Sequence, residues 1–293
     1  MSGAGDRLPG APEPHRFFTN SNGMKLAADE YGSEGPVVLL LHGGGQTRHA
    51  WKGAGQSLAD AGYHAFSLDS RGHGDSDWSP DGNYAYDALI EDLVSVVREL
   101  QPESPPVLVG ASMGGGTSLS AVGQGHVEAS ALVLVDTAPR IEVGGVRKIR
   151  DFMGQAPDGF ATLDEVAEAI GNYQPHRTRP RNLDGLAKNV RLSEDGRYRW
   201  HWDPAFMSRG RLDDRVKIQE AAAANLVCPT LLVRGGLSDV LSEEGAQAFL
   251  AIASHAEYAN VGGASHMVAG DRNDIFVDAV LSFLAKQDLP VTR

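Results

Sequence analysis

Short apolar runs separated by stretches of helical period set the rhythm of this chain. Pro36–Leu41, His64–Asp69, Pro106–Gly110, Ala131–Val135, Thr230–Val233 and Glu257–Val261 each have the length and composition of a buried strand. Helical patterns follow at about Ala50–Ala61, Tyr86–Leu100, Glu243–Ala253 and Asn273–Lys286. In the second of these, Ala88, Leu89, Leu93, Val96, Val97 and Leu100 share one face. Upstream, Arg16–Thr19 and Lys25–Asp29 flank Asn22-Gly23, a hairpin signal. Strands alternating with helices predict an α/β fold built on a mostly parallel twisted sheet with flanking helices.

Between about Ala138 and Ala223 the alternation stops. No strong buried strand is evident there, and aromatic residues stand out at Phe152, Phe160, Tyr173, Trp200, Trp202 and Phe206. A segment of this kind between two core strands reads as an inserted helical cap. The expected organisation is a mobile tail at 1–16, a core formed by 17–137 and 224–288, and a cap at 138–223. The tail is rich in Gly, Pro and Ala and lacks the apolar stretch of a secretory signal.

The chemistry concentrates at strand ends. Gly110-Ala111-Ser112-Met113-Gly114 is a G-x-S-x-G pattern placed directly between a strand and a helix. With 35 glycines in the chain the pattern alone says little; the strand–turn–helix setting gives it force. A sharp turn there lifts the Ser112 hydroxyl above the sheet edge and sets a helix N-terminus beneath it, where developing negative charge is favoured. A serine hydroxyl needs a base to take its proton. His266, in the small-residue loop Gly262–Ser265 after the last strand, is the expected base. The acid that orients it is expected at the end of the preceding strand, where Asp239 stands; Asp136, ending the strand before that, is the rival. His42-Gly43-Gly44-Gly45 follows the Pro36–Leu41 strand and offers the Gly44 N–H, with the Met113 N–H, as oxyanion donors. A phosphate cradle is excluded, since no Gly-Lys-Ser/Thr follows and the third glycine of G-x-G-x-x-G is missing. Gly43, Trp200, Trp202, Phe206 and Met267 are candidate substrate contacts, with packing inside the cap an equal reading of the aromatics.

Composition narrows the setting. The chain of 293 residues is 42% hydrophobic, and no apolar stretch approaches the length of a membrane span. A net charge of −12 disfavours nucleic acid and anionic membrane as partners. Cys228 is the single cysteine, so no intrachain disulfide can form; it reads as a buried packing residue, and a cytoplasmic location is expected. Neither H-E-x-x-H nor paired histidines at ligand spacing are present, so no metal and no cofactor are expected.

These residues, together with Leu41-His42-Gly43-Gly44-Gly45 and downstream Trp51, Asp69–Ser76 and His266-Met267, resemble the α/β-hydrolase superfamily. The similarity runs from about Phe17 to Leu284 and is weakest in the cap. The chain resembles the bacterial group that contains small carboxylesterases, cofactor-free haloperoxidase/perhydrolases and epoxide-hydrolase-like proteins. The resemblance implies a serine hydrolase acting on small to medium apolar esters through an acyl-serine intermediate, with Arg71–Ser76 a structural turn. Epoxide hydrolases and haloalkane dehalogenases of the superfamily use an aspartate nucleophile where this chain has Ser112, which turns the expectation toward acyl transfer. Lactone cleavage, carbon–carbon hydrolysis, perhydrolysis and a ligand-binding receptor are the alternatives the same fold allows.

Overall fold

The computed structural model describes residues 3, 5–173, 184–208 and 212–290. Its strands are β1 (Asp6–Arg7), β2 (Arg16–Thr19), β3 (Lys25–Tyr31), β4 (Val37–Leu41), β5 (His64–Leu68), β6 (Val107–Ala111), β7 (Ala131–Val135), β8 (Val190–Leu192), β9 (Tyr198–Trp200), β10 (Thr230–Gly235) and β11 (Glu257–Val261). The helices are α1 (Lys52–Asp60), α2 (Tyr86–Leu100), α3 (Met113–Gly123), α4 (Val143–Gly154), α5 (Leu163–Tyr173), α6 (Leu212–Ala224), α7 (Glu243–Ile252), α8 (Val268–Asp271) and α9 (Asn273–Leu284).

Eight strands form one sheet in the order β11-β10-β7-β6-β4-β5-β3-β2, parallel from β11 to β5 and antiparallel at β3 and β2. Its central strands are apolar at every position because both faces are covered. The period of two sorts their side chains: Leu39, Leu108, Leu132 and Leu232 meet α2, α3 and α7 on one face. Val38, Val109, Val133 and Val233 meet α1 and α9 on the other. This is the α/β-hydrolase architecture expected from the sequence. No helix among the described residues is long and apolar enough to cross a membrane.

Two expectations need correction. The N-terminal segment does not lie outside the fold: Asp6 and Arg7 pair antiparallel with Leu192 and Arg191, and the Pro12 carbonyl accepts from Arg48 Nη2 at 2.9 Å. Glycine and proline content conceals such pairing, because strand addition uses backbone groups that every sequence carries. The insertion, in turn, is not purely helical. It contains the β8–β9 hairpin, which joins β1 in a three-stranded sheet, alongside α4 and α5. Residues 174–183 and 209–211 of the insertion fall outside the described residues. At its far end, Ala222 and Ala223 of α6 pack in the main core.

The Asp69–Ser76 turn fastens the insertion to the sheet. Asp203 N–H donates to the Gly72 carbonyl, Gly74 N–H to His201 Nδ1 at 2.9 Å, and Arg191 Nη2 to Asp75 at 2.9 Å. Behind it, fully buried Arg48 binds Asp29 at 2.8 Å, Asp69 at 2.6 Å and Asp75 at 2.8 Å. The structural role expected of this turn is therefore specific: it couples the insertion to the sheet edge.

Candidate active site

Ser112 occupies the turn between β6 and α3 with φ 47° and ψ −108°, a conformation that L-residues rarely adopt. The flanking glycines make the turn possible. A Cβ at Gly110 would lie 2.5 Å from the Gly114 backbone, and one at Gly114 would lie 2.3 Å from the Leu41 carbonyl oxygen. Both obstacles are main chain, which cannot swing aside. Gly114→Ala is therefore expected to lower the unfolding free energy by about 3 kcal/mol, the upper end of usual overpacking costs, as a fall in urea midpoint would report.

His266 sits in the loop after β11, and its Nδ1 meets Asp136 Oδ2 at 2.7 Å. Asp136 is fully buried at the end of β7, also at positive φ (50°). It accepts two further hydrogen bonds, from the Gly235 N–H at 2.8 Å and from the Ser238 hydroxyl. Asp239, the residue expected to orient His266, is elsewhere. Its half-exposed carboxylate pairs with Lys148 Nζ of α4 at 2.6 Å. The reason is local: β10 ends at Gly235, and in the following turn Ser238 meets Asp136 while Asp239 meets Lys148. Ser238 escaped the sequence reading. Its hydroxyl also accepts from the Val240 and Leu241 N–H groups, both at 3.1 Å, so it braces this turn and Asp136 together. No sequence motif marks it.

The glycine loop after β4 is fixed by side chains around it. His42 Nε2 accepts from the Ser70 N–H at 3.0 Å, so its Nδ1–H donates to the Gly43 carbonyl at 2.7 Å. Complete burial lowers the His42 pKa, which keeps this ring neutral. Gly43 N–H donates to Gln46 Oε1, Gly45 N–H to His73 Nε2 and Gly114 N–H to the His42 carbonyl. Among the described residues, no acceptor engages the N–H of Gly44 or of Met113. Gln46, also unmarked by any motif, touches Met267 Sδ through its amide nitrogen.

Ser112, His266, Gly43, Gly44, Met113, Trp200, Trp202, Phe206 and Met267 all line one cavity of about 740 Å³; Asp239 does not. The insertion supplies much of the remaining wall. Trp200 and Trp202 stack at 4.9 Å between ring centroids, and Phe152 stacks on Tyr173 at 4.2 Å. The same rings pack the insertion and face the cavity. Burial, with a contribution from the Asp239 charge, pushes the Tyr173 phenol up to about 12, so it stands in the wall as a neutral group. No group of three or more His, Cys, Asp or Glu suited to a metal ion occurs among the described residues.

Comparison with known proteins places the chain among hydrolases. The chain is 29% identical to esterase Rv0045c of Mycobacterium tuberculosis over 269 residues, covering 88% of this chain and 86% of that one. It is 33% identical to epoxide hydrolase A of the same organism over 180 residues, 59% of this chain and 55% of that protein. Among solved structures, E-2-(acetamidomethylene)succinate hydrolase superposes with a TM-score of 0.81 at 22% identity, covering 92% of this chain and 98% of that one. A structure of esterase Rv0045c superposes at 0.73 with 26% identity, covering 89% of both chains. The sequence model of the family described as serine aminopeptidase, S33, matches residues 33–273. A hydrolase fold with a strained serine at its elbow and a family match across most of its length establish that this chain belongs to the serine aminopeptidase S33 family of the α/β-hydrolase superfamily.

Proposed function

We propose that the protein is a serine esterase whose catalytic triad is Ser112, His266 and Asp136. The observation that carries this reading is the hydrogen bond from His266 Nδ1–H to buried Asp136, on a ring that lines the same cavity as Ser112. A carboxylate on Nδ1 fixes the tautomer whose Nε2 is free to take a proton, and it stabilises the imidazolium that results.

Ser112 Oγ attacks the ester carbonyl as His266 accepts its proton. The Gly44 and Met113 N–H groups hold the oxyanion, and each such donor is worth roughly 10²–10³ in rate. His266 then protonates the departing alcohol. Water, activated by the same ring, releases the acid and restores Ser112. The similarity to epoxide hydrolase A does not favour epoxides here. A serine that opened an epoxide would form an ether, which the same machinery could not hydrolyse, whereas an acyl-serine is readily cleaved.

Initial rates with p-nitrophenyl esters from acetate to decanoate, wild type beside Ser112→Ala, test the reading. We expect turnover by the wild type and a loss of about 10⁴–10⁶-fold in the variant. A folded wild type inactive on the whole series would overturn it.

A further inference from the structure

The cavity has the opposite electrical character to the chain. The protein carries a net charge of −12, yet the described cavity wall holds three cationic side chains, Arg150, Lys188 and Arg215, against a single carboxylate, Asp87. Arg150 is engaged by a partner, and Arg215 Nη2 donates to the Pro139 carbonyl at 3.3 Å. Lys188 differs. Among the described residues no carboxylate pairs with it, whereas Lys148 and Lys286 each find one at 2.6 Å. Its place is fixed by the backbone that follows: Asn189 N–H donates to the Leu186 carbonyl, His201 N–H donates to the Asn189 carbonyl, and Val190 is fully buried in β8.

Lys188 is solvent-exposed where it borders the cavity, so its ammonium is open to an anionic group that enters there. A concave apolar site with one sign of charge also focuses its field on ligands of the other sign. We propose that Lys188 is a carboxylate-binding residue and that the preferred substrates are esters bearing a free carboxylate remote from the scissile bond. This rests on the esterase reading and narrows its substrate class.

Mono-p-nitrophenyl suberate and p-nitrophenyl octanoate have the same chain length and differ in the terminal carboxylate. In Lys188→Met, KM for the suberate ester is expected to rise about tenfold or more, with the octanoate ester changing by less than about twofold; Lys188→Arg restores most of the difference. Equal effects on both esters, or none on the suberate ester, would overturn the proposal. Calorimetric binding of suberic acid monoamide against its neutral diamide reads the same contact without turnover. The wild type is expected to prefer the monoamide, and Lys188→Met to lose that preference; a wild type that binds both alike overturns the proposal. Preference for the monoamide without Ser112-dependent hydrolysis of either ester would sink the esterase reading and leave the carboxylate site standing.

Discussion

Asp136→Asn is expected to lower kcat on p-nitrophenyl esters about 10⁴-fold, while Asp239→Asn leaves it within about twofold. The two carboxylates differ in what they touch. Asp136 meets His266 Nδ1 at 2.7 Å and is held in place by Gly235 and Ser238. An asparagine there can present its amide NH₂ to Nδ1, which favours the tautomer protonated at Nε2 and removes the lone pair Ser112 needs. Asp239 is spent on Lys148 at the surface, an ion pair of the kind that contributes little. Circular dichroism of both variants separates loss of chemistry from loss of fold. A larger loss from Asp239→Asn than from Asp136→Asn would reject the proposed triad.

The second large effect concerns stability. Arg48→Met is expected to destabilise the protein by about 3–5 kcal/mol, because it leaves three buried or nearly buried carboxylates, Asp29, Asp69 and Asp75, without their shared cation. At the usual unfolding entropy per residue, this amounts to a fall in Tm on the order of 5–8 °C. The pH dependence has a definite sign. Burial by itself would raise the Asp29 pKa, but hydrogen bonds from His49 and Arg48 outweigh it and hold the group below its ordinary 3.8. A carboxyl depressed in the folded state contributes stability that is present above its unfolded pKa and lost as pH falls through the folded one. The stability gap between wild type and Arg48→Met is therefore expected to narrow below pH 3.8, as urea unfolding at several pH values would measure. A gap that stays constant on acidification would mean that Arg48 acts through packing alone.

The strands and helices of the core were legible because burial on both sheet faces leaves unbroken apolar runs, and helices covering one face leave a 3.6-residue period. The Ser112 turn was legible for a related reason: the glycines at 110 and 114 are dictated by backbone contacts as close as 2.3 Å, and such steric demands leave a mark in sequence. Asp136 against Asp239 was not decided there. Both follow core strands, and which one faces the imidazole depends on where β10 ends and how the turn after Gly235 is wound. The same limit hid the strand at Asp6–Arg7, whose pairing uses backbone groups alone, and Ser238, whose role exists only once Asp136 lies beside it.

Taken by itself, then, the sequence determined the layered core and the sharp turn at Ser112, because each is enforced by local sterics or by periodic burial. The tertiary structure decided which carboxylate holds His266, that the N-terminal segment pairs with the insertion, and that Lys188, without a carboxylate partner among the described residues, lines the cavity of Ser112. Each of those depends on groups far apart in the chain, whose meeting is set by packing and turn geometry and not by any spacing along it.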